Sequence, residues 1–440
     1  MARTTVIPAR SSGRTPSSRV LKSGVTLITA PMDSPNVGVF LIVRAGARDE
    51  TRETSGLAHF LEHMFFKGTT NRPTSLQITR EIDRLGATTN AYTDVEEVAY
   101  YTTGPAAAVS SLSTIITDML CHPLFDGSEM EKERNVVLQE LAARLADPDG
   151  WLWDRLGTVT FGDNQPMSWS AAGFPEVIGT VTRDQLVAYH ASFYAPQAMA
   201  LVIAGGGEID EDEADALFAD IPSASQSSRT ASRWGRGERF VCDIRPVAHA
   251  DEEQNSLLLA FPGFPALDED RTALSVFAHI YGGGMSSRLF QKVREERGLC
   301  YSIFAHHEGF DDAGAFVVST GTRPKDAKET LALALDEFHS LVATPVPADE
   351  LEAAKSAMTG RLLRATETAM SRARYYGSRW RAGLPLDAPE DRADAIGRVT
   401  ADEIQHVAAR LETGLGLARF AFVGPRDISS DICSVLDSEA

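Results

Sequence analysis

Cysteine and long apolar runs are scarce in this chain. Its 440 residues include four cysteines, Cys121, Cys242, Cys300 and Cys433, whose wide spacing argues against a disulfide framework or a thiolate metal site. They are interpreted as small buried residues. No apolar run reaches the length that spans a bilayer, and the first residues lack the apolar core of a secretory signal. The sequence therefore predicts no membrane span and no export.

Basic residues are also in deficit, with 42 Lys and Arg against 61 Asp and Glu and a formal charge of -19. This balance argues against nucleic acid as a partner and favours cationic ones, such as basic peptides. The start of the chain is the exception, because five basic residues precede the first acidic one: Arg3, Arg10, Arg14, Arg19 and Lys22. Residues 1–17 are interpreted as a disordered basic tail, with an organelle transit peptide as the alternative. Abundant Arg and Ala favour a bacterial cytoplasmic protein, and the mitochondrial matrix is the alternative compartment.

Two stretches of the sequence repeat at a spacing of about 218 residues. Residues 36–46 resemble 254–264 as an apolar strand that leads to a turn. Residues 177–186 resemble 395–404, and in each of these a threonine, Thr182 or Thr400, is placed to cap an amphipathic helix that a strand follows. The chain is therefore predicted to contain two related halves.

The predicted domains are residues 18–222 and 237–440, joined by a polar linker at 223–236. Strands and helices are mixed without regular alternation, so each half is expected to be an α+β unit with helices on one face of its sheet. A doubly wound parallel sheet is the alternative.

A candidate metal site lies in the first half. Residues 56–68 contain strong helix formers between two glycines, and His59 and His63 are four residues apart, so both imidazoles share one helix face, with Glu62 beside them. Two imidazoles and a carboxylate suit zinc, and a neighbouring carboxylate can deprotonate its water. Glu133 and Glu140, two turns apart on a later predicted helix, are both candidates for the third ligand.

The repeat bears on this site. At the spacing of about 218 residues, His59, Glu62 and His63 fall opposite three residues that bind no metal: Phe277, Ile280 and Tyr281. Glu140 falls opposite Met358 or Arg361. Only the first half is therefore predicted to hold a metal ion.

The sequence resembles the M16 metallopeptidases, which are marked by HxxEH and a glutamate after 76 further residues, the spacing between His63 and Glu140. The resemblance implies one zinc ion per chain, bound by His59, His63 and Glu140. It also implies Glu62 as general base, Glu133 as a supporting residue in the same helix as Glu140, and two LuxS/MPP-like metallohydrolase domains with mainly antiparallel sheets.

Two further matches carry function in that family. Residues 90–93, with Asn90 and Ala91, resemble an edge strand that pairs with the backbone of an extended substrate. From the residues alone, this region indicates a β-hairpin. Residues 282–301 resemble the segment in which an arginine and a tyrosine, here Arg294 and Tyr301, hold the substrate and stabilise the tetrahedral intermediate.

The resemblance implies a zinc endopeptidase that cleaves extended oligopeptides or unfolded segments. Because a closed chamber needs four such domains and this chain has two, a homodimer is predicted, with each site shared between chains. A processing peptidase subunit with a different, related partner and a non-catalytic peptide-binding homologue remain the alternatives.

Overall fold

The computed structural model describes residues 15–221, 231–235, 239–245 and 253–438. The strands are β1 (Ser17–Val20), β2 (Thr26–Pro31), β3 (Asn36–Val43), β4 (Thr88–Thr93), β5 (Val98–Pro105), β6 (Met199–Gly205), β7 (Phe240–Ile244), β8 (Asn255–Pro262), β9 (Cys300–Gly309), β10 (Gly314–Thr322) and β11 (Arg419–Gly424).

The helices of the first half are α1 (Leu57–Phe65), α2 (Ser75–Arg84), α3 (Val109–Cys121), α4 (Gly127–Ala146), α5 (Pro148–Asp154), α6 (Leu156–Phe161), α7 (Pro175–Ile178), α8 (Arg183–Phe193) and α9 (Glu211–Ala216). Those of the second half are α10 (Arg271–Gly282), α11 (Ala327–Ala343), α12 (Ala348–Ala365), α13 (Ala369–Arg381), α14 (Pro389–Gly397), α15 (Ala401–Glu412) and α16 (Ser429–Leu436), with a π-helical segment at Phe290–Glu296.

The two halves repeat one sheet topology. The first sheet has the order β1-β2-β6-β3-β5-β4, and the second has the order β7-β11-β8-β10-β9. In each, one pair is parallel, β2 with β6 and β7 with β11, and the later pairs are antiparallel. The predicted α+β class with mainly antiparallel sheets is confirmed, and β4 and β9 lie at equivalent sheet edges.

Local signals in the sequence account for several of these elements. Thr182 and Thr400 cap α8 and α15, each in a reciprocal capping box with the residue three positions on. The predicted hairpin is formed by β4 and β5, in the register Thr88 to Thr103. These elements are specified by residues that lie close together in the chain, through capping side chains and strand-forming residues.

One face of each sheet packs against helices of its own half. In the first half Val39 and Leu41 share a buried cluster with residues of α1, α3 and α8. In the second half Leu259 and Phe261 share one with residues of α10, α11 and α15. This is the helical layer that the sequence predicts.

The opposite face of each sheet is covered by helix from the other half. Helix α13 lies on the first sheet, where a Cβ added to Gly377 would be only 2.6 Å from the Phe40 ring. Helices α5 and α6 lie on the second sheet, where Leu152 and Val159 share a buried cluster with Leu258. This exchange is absent from the sequence prediction, and each half completes the core of the other.

The predicted boundaries can be compared with the structure only in part. Residues 1–14, 222–230 and 236–238 lie outside the described residues, and they include most of the predicted linker at 223–236. Ser17, placed in the tail, already pairs with Thr29. The domain limits 18–222 and 237–440 stay predictions.

The cysteines correct another expectation. All four are free thiols, but only Cys300 is buried, while Cys242 is exposed and the other two are half-buried. In the described part of the chain, no helix is both long and apolar enough to cross a bilayer.

Candidate metal centre

Helix α1 carries the two predicted histidine ligands. It begins after Gly56, whose φ of 95° favours glycine. One side of the helix is buried in the first core through Leu57, Ala58, Phe60, Leu61, Met64 and Phe65. His59 and His63 are one turn apart on the other side, with side chains 12% and 19% exposed. The amphipathic pattern of α1 therefore directs both imidazoles to one side.

A buried carboxylate holds the start of this helix. Glu50 accepts hydrogen bonds from the backbone N–H groups of Gly56, at 2.7 Å, and Ala58, at 2.8 Å. Burial raises the pKa of Glu50 to about 8, although both hydrogen bonds act in the opposite direction. The sequence prediction missed this residue, because nothing in its local pattern separates it from the exposed acidic residues nearby.

Glu140, on α4, completes a triangle of donor atoms. His59 Nε2 and His63 Nε2 are 3.3 Å apart, and Glu140 Oε2 lies 3.5 Å from the second and 3.8 Å from the first. Tetrahedral zinc, with bonds of about 2.0–2.1 Å, places its ligand atoms roughly 3.3–3.4 Å apart. The triangle therefore has the size that one zinc ion requires.

The chemistry of these donors also fits a metal ion. The two carboxylate distances are longer than normal hydrogen bonds, and the three donor atoms face one another at the separations expected of metal ligands. Burial, and to a lesser extent His63 and Arg144, lowers the pKa of His59 to about 4, which leaves its imidazole neutral and able to bind metal. In the described part of the chain, this is the one cluster of at least three His, Cys, Asp or Glu residues able to hold a metal ion.

Glu133 lies beside the triangle. Its Oε2 is 3.1 Å from His63 Nδ1, and its Oε1 is 2.6 Å from Lys67 Nζ. A carboxylate at Nδ1 favours the tautomer with the proton there, and this leaves the lone pair of Nε2 free. The position of Glu133 therefore suits a supporting residue, and that of Glu140 suits a ligand. Lys67 was missed, although it is four residues after His63 on the helical pattern.

Glu62 lies beside the histidines on α1 and contacts the edge strand. Thr93, at the end of β4, donates a hydrogen bond of 2.5 Å to Glu62 Oε2. Burial raises the pKa of Glu62, while Thr93 and His63 act to lower it. The contact joins the predicted base to the predicted substrate strand, and Thr93 is a further residue that the sequence prediction did not assign to the site.

Asn90 and Ala91 lie in β4, which forms the outer edge of the first sheet. The backbone N–H of Ala91 donates to Asn90 Oδ1 at 2.8 Å, in an exposed position. The outer edge of such a strand can pair with an extended peptide, which would take the place of the Asn90 side chain at the Ala91 N–H.

Arg294 and Tyr301 lie in the second half. Arg294 is in the π-helical segment and Tyr301 is near the start of β9, with the guanidinium carbon 5.4 Å from the centre of the tyrosine ring. Tyr301 is 72% exposed. Within the described residues, neither makes a hydrogen bond, ion pair or ring contact with the metal cluster of the same chain.

Among the residues of the second half that the structure describes there is no equivalent cluster, but the residues at the corresponding positions differ from those predicted. The buried positions of α1 match those of α10 when His59, Glu62 and His63 are aligned with Ser275, Ala278 and His279. The predicted alignment with Phe277, Ile280 and Tyr281 is therefore wrong by two residues, since those side chains belong to the core. The spacing of about 218 residues between the two halves, taken from the predicted strands, does not hold for helices α1 and α10.

Comparison with known proteins agrees with this architecture. Residues 26–168 match the family described as insulinase, peptidase family M16, and residues 180–358 match the peptidase M16 inactive domain. Relatives in Rickettsia felis and Rickettsia bellii, both named uncharacterized zinc protease, are 30% and 32% identical over 93% of this chain and 97% of theirs. The chain belongs to the M16 peptidase family.

Solved structures share the fold of this M16 chain. A protease from Helicobacter pylori has a TM-score of 0.83 at 19% identity, covering 93% of this chain and 100% of that one. A peptidase M16 inactive domain from Pseudomonas fluorescens also has a TM-score of 0.83, at 21% identity, covering 94% and 99%. The family resemblance and the short, two-domain M16 architecture predicted from the sequence are confirmed.

Proposed function

We propose that this M16 chain is a zinc-dependent endopeptidase that holds one zinc ion on His59, His63 and Glu140. The observation that supports it is the triangle of donor atoms, 3.3–3.8 Å on each side, with Glu62 next to it on the same helix. Two imidazoles and one carboxylate leave a fourth zinc position open, as in catalytic sites. The relatives named zinc protease support the choice of metal.

In this proposal Glu62 is the general base. Bound zinc would lower the pKa of water to about 7 and polarise the scissile carbonyl. Glu62 takes the proton from the attacking water and passes it to the leaving amine. Thr93 donates a hydrogen bond to one oxygen of Glu62, which orients this half-buried carboxylate beside the proposed metal site.

The substrate is an extended oligopeptide or an unfolded segment, which adds to the edge of β4 at Asn90 and Ala91. Main-chain pairing selects for an extended backbone and tolerates many side chains. Because Thr93 joins the end of β4 to Glu62, a peptide on this edge would have its backbone placed beside the base.

Arg294 and Tyr301 are proposed to act on the site of a second copy of this chain. Their exposure and their lack of contact with the metal cluster of their own chain are compatible with that arrangement. A guanidinium and a phenol can both donate to a developing oxyanion. The resulting homodimer would enclose two equivalent sites, and a bacterial cytoplasmic location is proposed from the bacterial relatives.

The base is tested by Glu62→Gln, assayed with a fluorogenic peptide and with metal analysis of the purified protein. Loss of a general base is expected to lower kcat by about 10²–10⁴-fold while zinc stays bound. Asp49→Asn, in the turn before α1, is the control and should stay active. Undiminished turnover by Glu62→Gln would refute the assignment.

Sharing between chains is tested by mixing a Glu62→Gln chain with an Arg294→Ala chain, each nearly inactive alone. Mixed dimers contain one site with both groups intact, so activity should reappear. If mixed dimers form and no activity returns, the shared site is wrong. An inactive wild-type monomer on gel filtration would indicate the alternative, a different partner subunit.

A further inference from the structure

Lys67 lies beside the metal cluster, and the proposed function gives it no role. It follows His63 by four residues, and its backbone N–H donates to the carbonyl of Met64 at 3.1 Å, which continues the helical turn past the end of α1. Residues four apart on a helix share one face, so Lys67 projects on the side of His63. Its Nζ lies 2.6 Å from Glu133 Oε1. This lysine therefore contacts the carboxylate that faces a proposed metal ligand.

The turn that carries Lys67 is anchored to the chain before α4. The carbonyl of Gly68 accepts from the backbone N–H of Leu124 at 3.1 Å, and the backbone N–H of Thr70 donates to the carbonyl of His122 at 3.0 Å. This second segment leads directly into α4, the helix of both glutamates. The position of Lys67 relative to α4 is therefore set by the backbone of the two segments.

Both oxygens of Glu133 are engaged. Its Oε1 pairs with Lys67, and its Oε2 lies 3.1 Å from His63 Nδ1. The last torsion of a glutamate side chain has broad, shallow minima, so a contact at one oxygen alone leaves the carboxylate plane free to turn. A second contact removes that freedom. Lys67 therefore fixes the direction in which this buried carboxylate presents Oε2.

Charge balance gives the same lysine a second effect on the site. Three carboxylates surround the donor triangle, those of Glu62, Glu133 and Glu140, while imidazoles bind metal in their neutral form. A zinc ion would bring two positive charges, which leaves one carboxylate to be balanced by the protein. In the described part of the chain, Lys67 is the one lysine or arginine that forms an ion pair with any of the three.

The ion pair also accounts for the different positions of the two glutamates on α4. Glu133 turns towards the end of α1, where Lys67 and His63 Nδ1 receive it. Glu140, two turns later, forms no ion pair with a lysine or arginine among the described residues, and its Oε2 completes the donor triangle. A cation beside only one of them separates two residues of the same type.

We propose that Lys67 is a positioning residue of the zinc site, which acts through Glu133 on His63. It holds the carboxylate with Oε2 at Nδ1, so that His63 presents Nε2 to the metal. The inference rests on the proposed function, because it takes zinc to be the ion on His59, His63 and Glu140. It assigns part of the affinity for zinc to a residue that does not touch the ion.

The test measures the zinc affinity of the full chain and its variants by competition with a chromophoric chelator. Lys67→Met leaves the carboxylate held at one oxygen and should weaken zinc binding about tenfold, the lower end of the range for residues outside the ligand set. Lys67→Arg keeps the charge and should recover most of this loss. Lys132→Met is the matched control, because Lys132 precedes Glu133 on α4 but pairs with Glu129, at 2.5 Å, in an exposed position. It should bind zinc like the wild type.

Two further measurements separate positioning from a general loss of structure. If Lys67 acts only through Glu133, Lys67→Met should cost nothing more in a Glu133→Gln background. Cobalt-loaded protein reports ligand geometry through its visible spectrum, which should be shared by the wild type and Lys67→Arg and altered in Lys67→Met. Urea unfolding of the metal-free chain checks folding. Should Lys67→Met not fold, Lys67→Gln, which also removes the charge, takes its place with a loss in the same direction.

The outcomes also separate this role from the proposed function. Unchanged zinc affinity in Lys67→Met, an equal loss in Lys132→Met, or a further loss in the Glu133→Gln background would overturn the role of Lys67 and leave the zinc site standing. A wild-type chain that binds neither zinc nor cobalt would refute the proposed function and this role with it. Zinc binding that depends on Lys67, with no peptide cleaved, would support the role and refute the peptidase.

Discussion

Glu50 accepts hydrogen bonds from the start of the helix that carries His59 and His63, and replacing it should change the stability of the folded chain by an amount that depends on pH. It is only 4% exposed and accepts two backbone hydrogen bonds, from Gly56 and Ala58. Glu50→Gln keeps the shape but offers one acceptor oxygen instead of two. One buried N–H is then left facing an amide group, at a cost of about 1–3 kcal/mol.

The pH dependence gives a sharper test. The pKa of Glu50 rises from 4.5 to about 8 on folding, so the folded chain binds this proton more tightly than the unfolded chain. Its contribution to stability is therefore complete below pH 4.5 and is lost as the pH rises to about 8. Between pH 5 and pH 7 the loss is about 2.5 kcal/mol. Glutamine does not titrate, so Glu50→Gln lacks this slope.

The assay is urea unfolding of both proteins in EDTA at pH 5, 6, 7 and 8. The wild type should be the more stable protein at pH 5, and its advantage should shrink by about 2.5 kcal/mol by pH 7 and by about 1 kcal/mol more by pH 8, above which it levels off. Glu53→Gln, in the same segment but exposed, is the control and should follow the wild type. Parallel curves for wild type and Glu50→Gln would show that burial does not raise the pKa of this carboxyl, and the reasoning would fail.

Three further predictions follow from the site and from the contact between the halves. Arg381→Met removes the guanidinium paired with buried Glu97 and one of the two paired with Glu96, which keeps Arg48. It should lower stability by about 3–5 kcal/mol in thermal unfolding, whereas Arg374→Met, exposed on the same helix, should not. Glu133→Gln should weaken zinc binding by about 10–100-fold in competition with a chromophoric chelator, and unchanged affinity would remove its supporting role. Chelation should abolish peptide hydrolysis and added zinc should restore it; activity in the zinc-free protein would contradict a metal mechanism.

The sequence predicted those parts of the fold that short segments determine. The caps at Thr182 and Thr400 and the hairpin of β4 and β5 depend on residues close together in the chain, and all are found in the structure. The exchange of helices between halves was not predicted. A helical pattern identifies which side of α13 is apolar, but the residue it meets, Phe40, is more than 300 positions away and leaves no local signal.

The candidate site shows the same limit. His59 and His63 were found because one helical turn separates them. Glu133 and Glu140, two turns apart on one helix, could not be distinguished by spacing, and the family resemblance was needed to choose between them. In the structure they differ in surroundings: the Glu133 side chain is 8% exposed beside His63 Nδ1 and Lys67, while Glu140 is 54% exposed. That difference depends on tertiary packing, which the spacing of residues in the sequence does not reveal.

The contact between the halves also bears on how the proposed site works. Beyond Thr93, the chain turns through Glu96 and Glu97, both buried, and these pair with Arg381 at the end of α13. The backbone N–H of Asp94 donates to the carbonyl of Glu97 at 2.8 Å, which closes the turn. Arg381 belongs to the second half, yet it holds the end of the strand whose Thr93 positions Glu62. The substrate edge and the base of the first half therefore depend on the second half for their alignment, and the metal-bearing half is not expected to be a competent enzyme by itself.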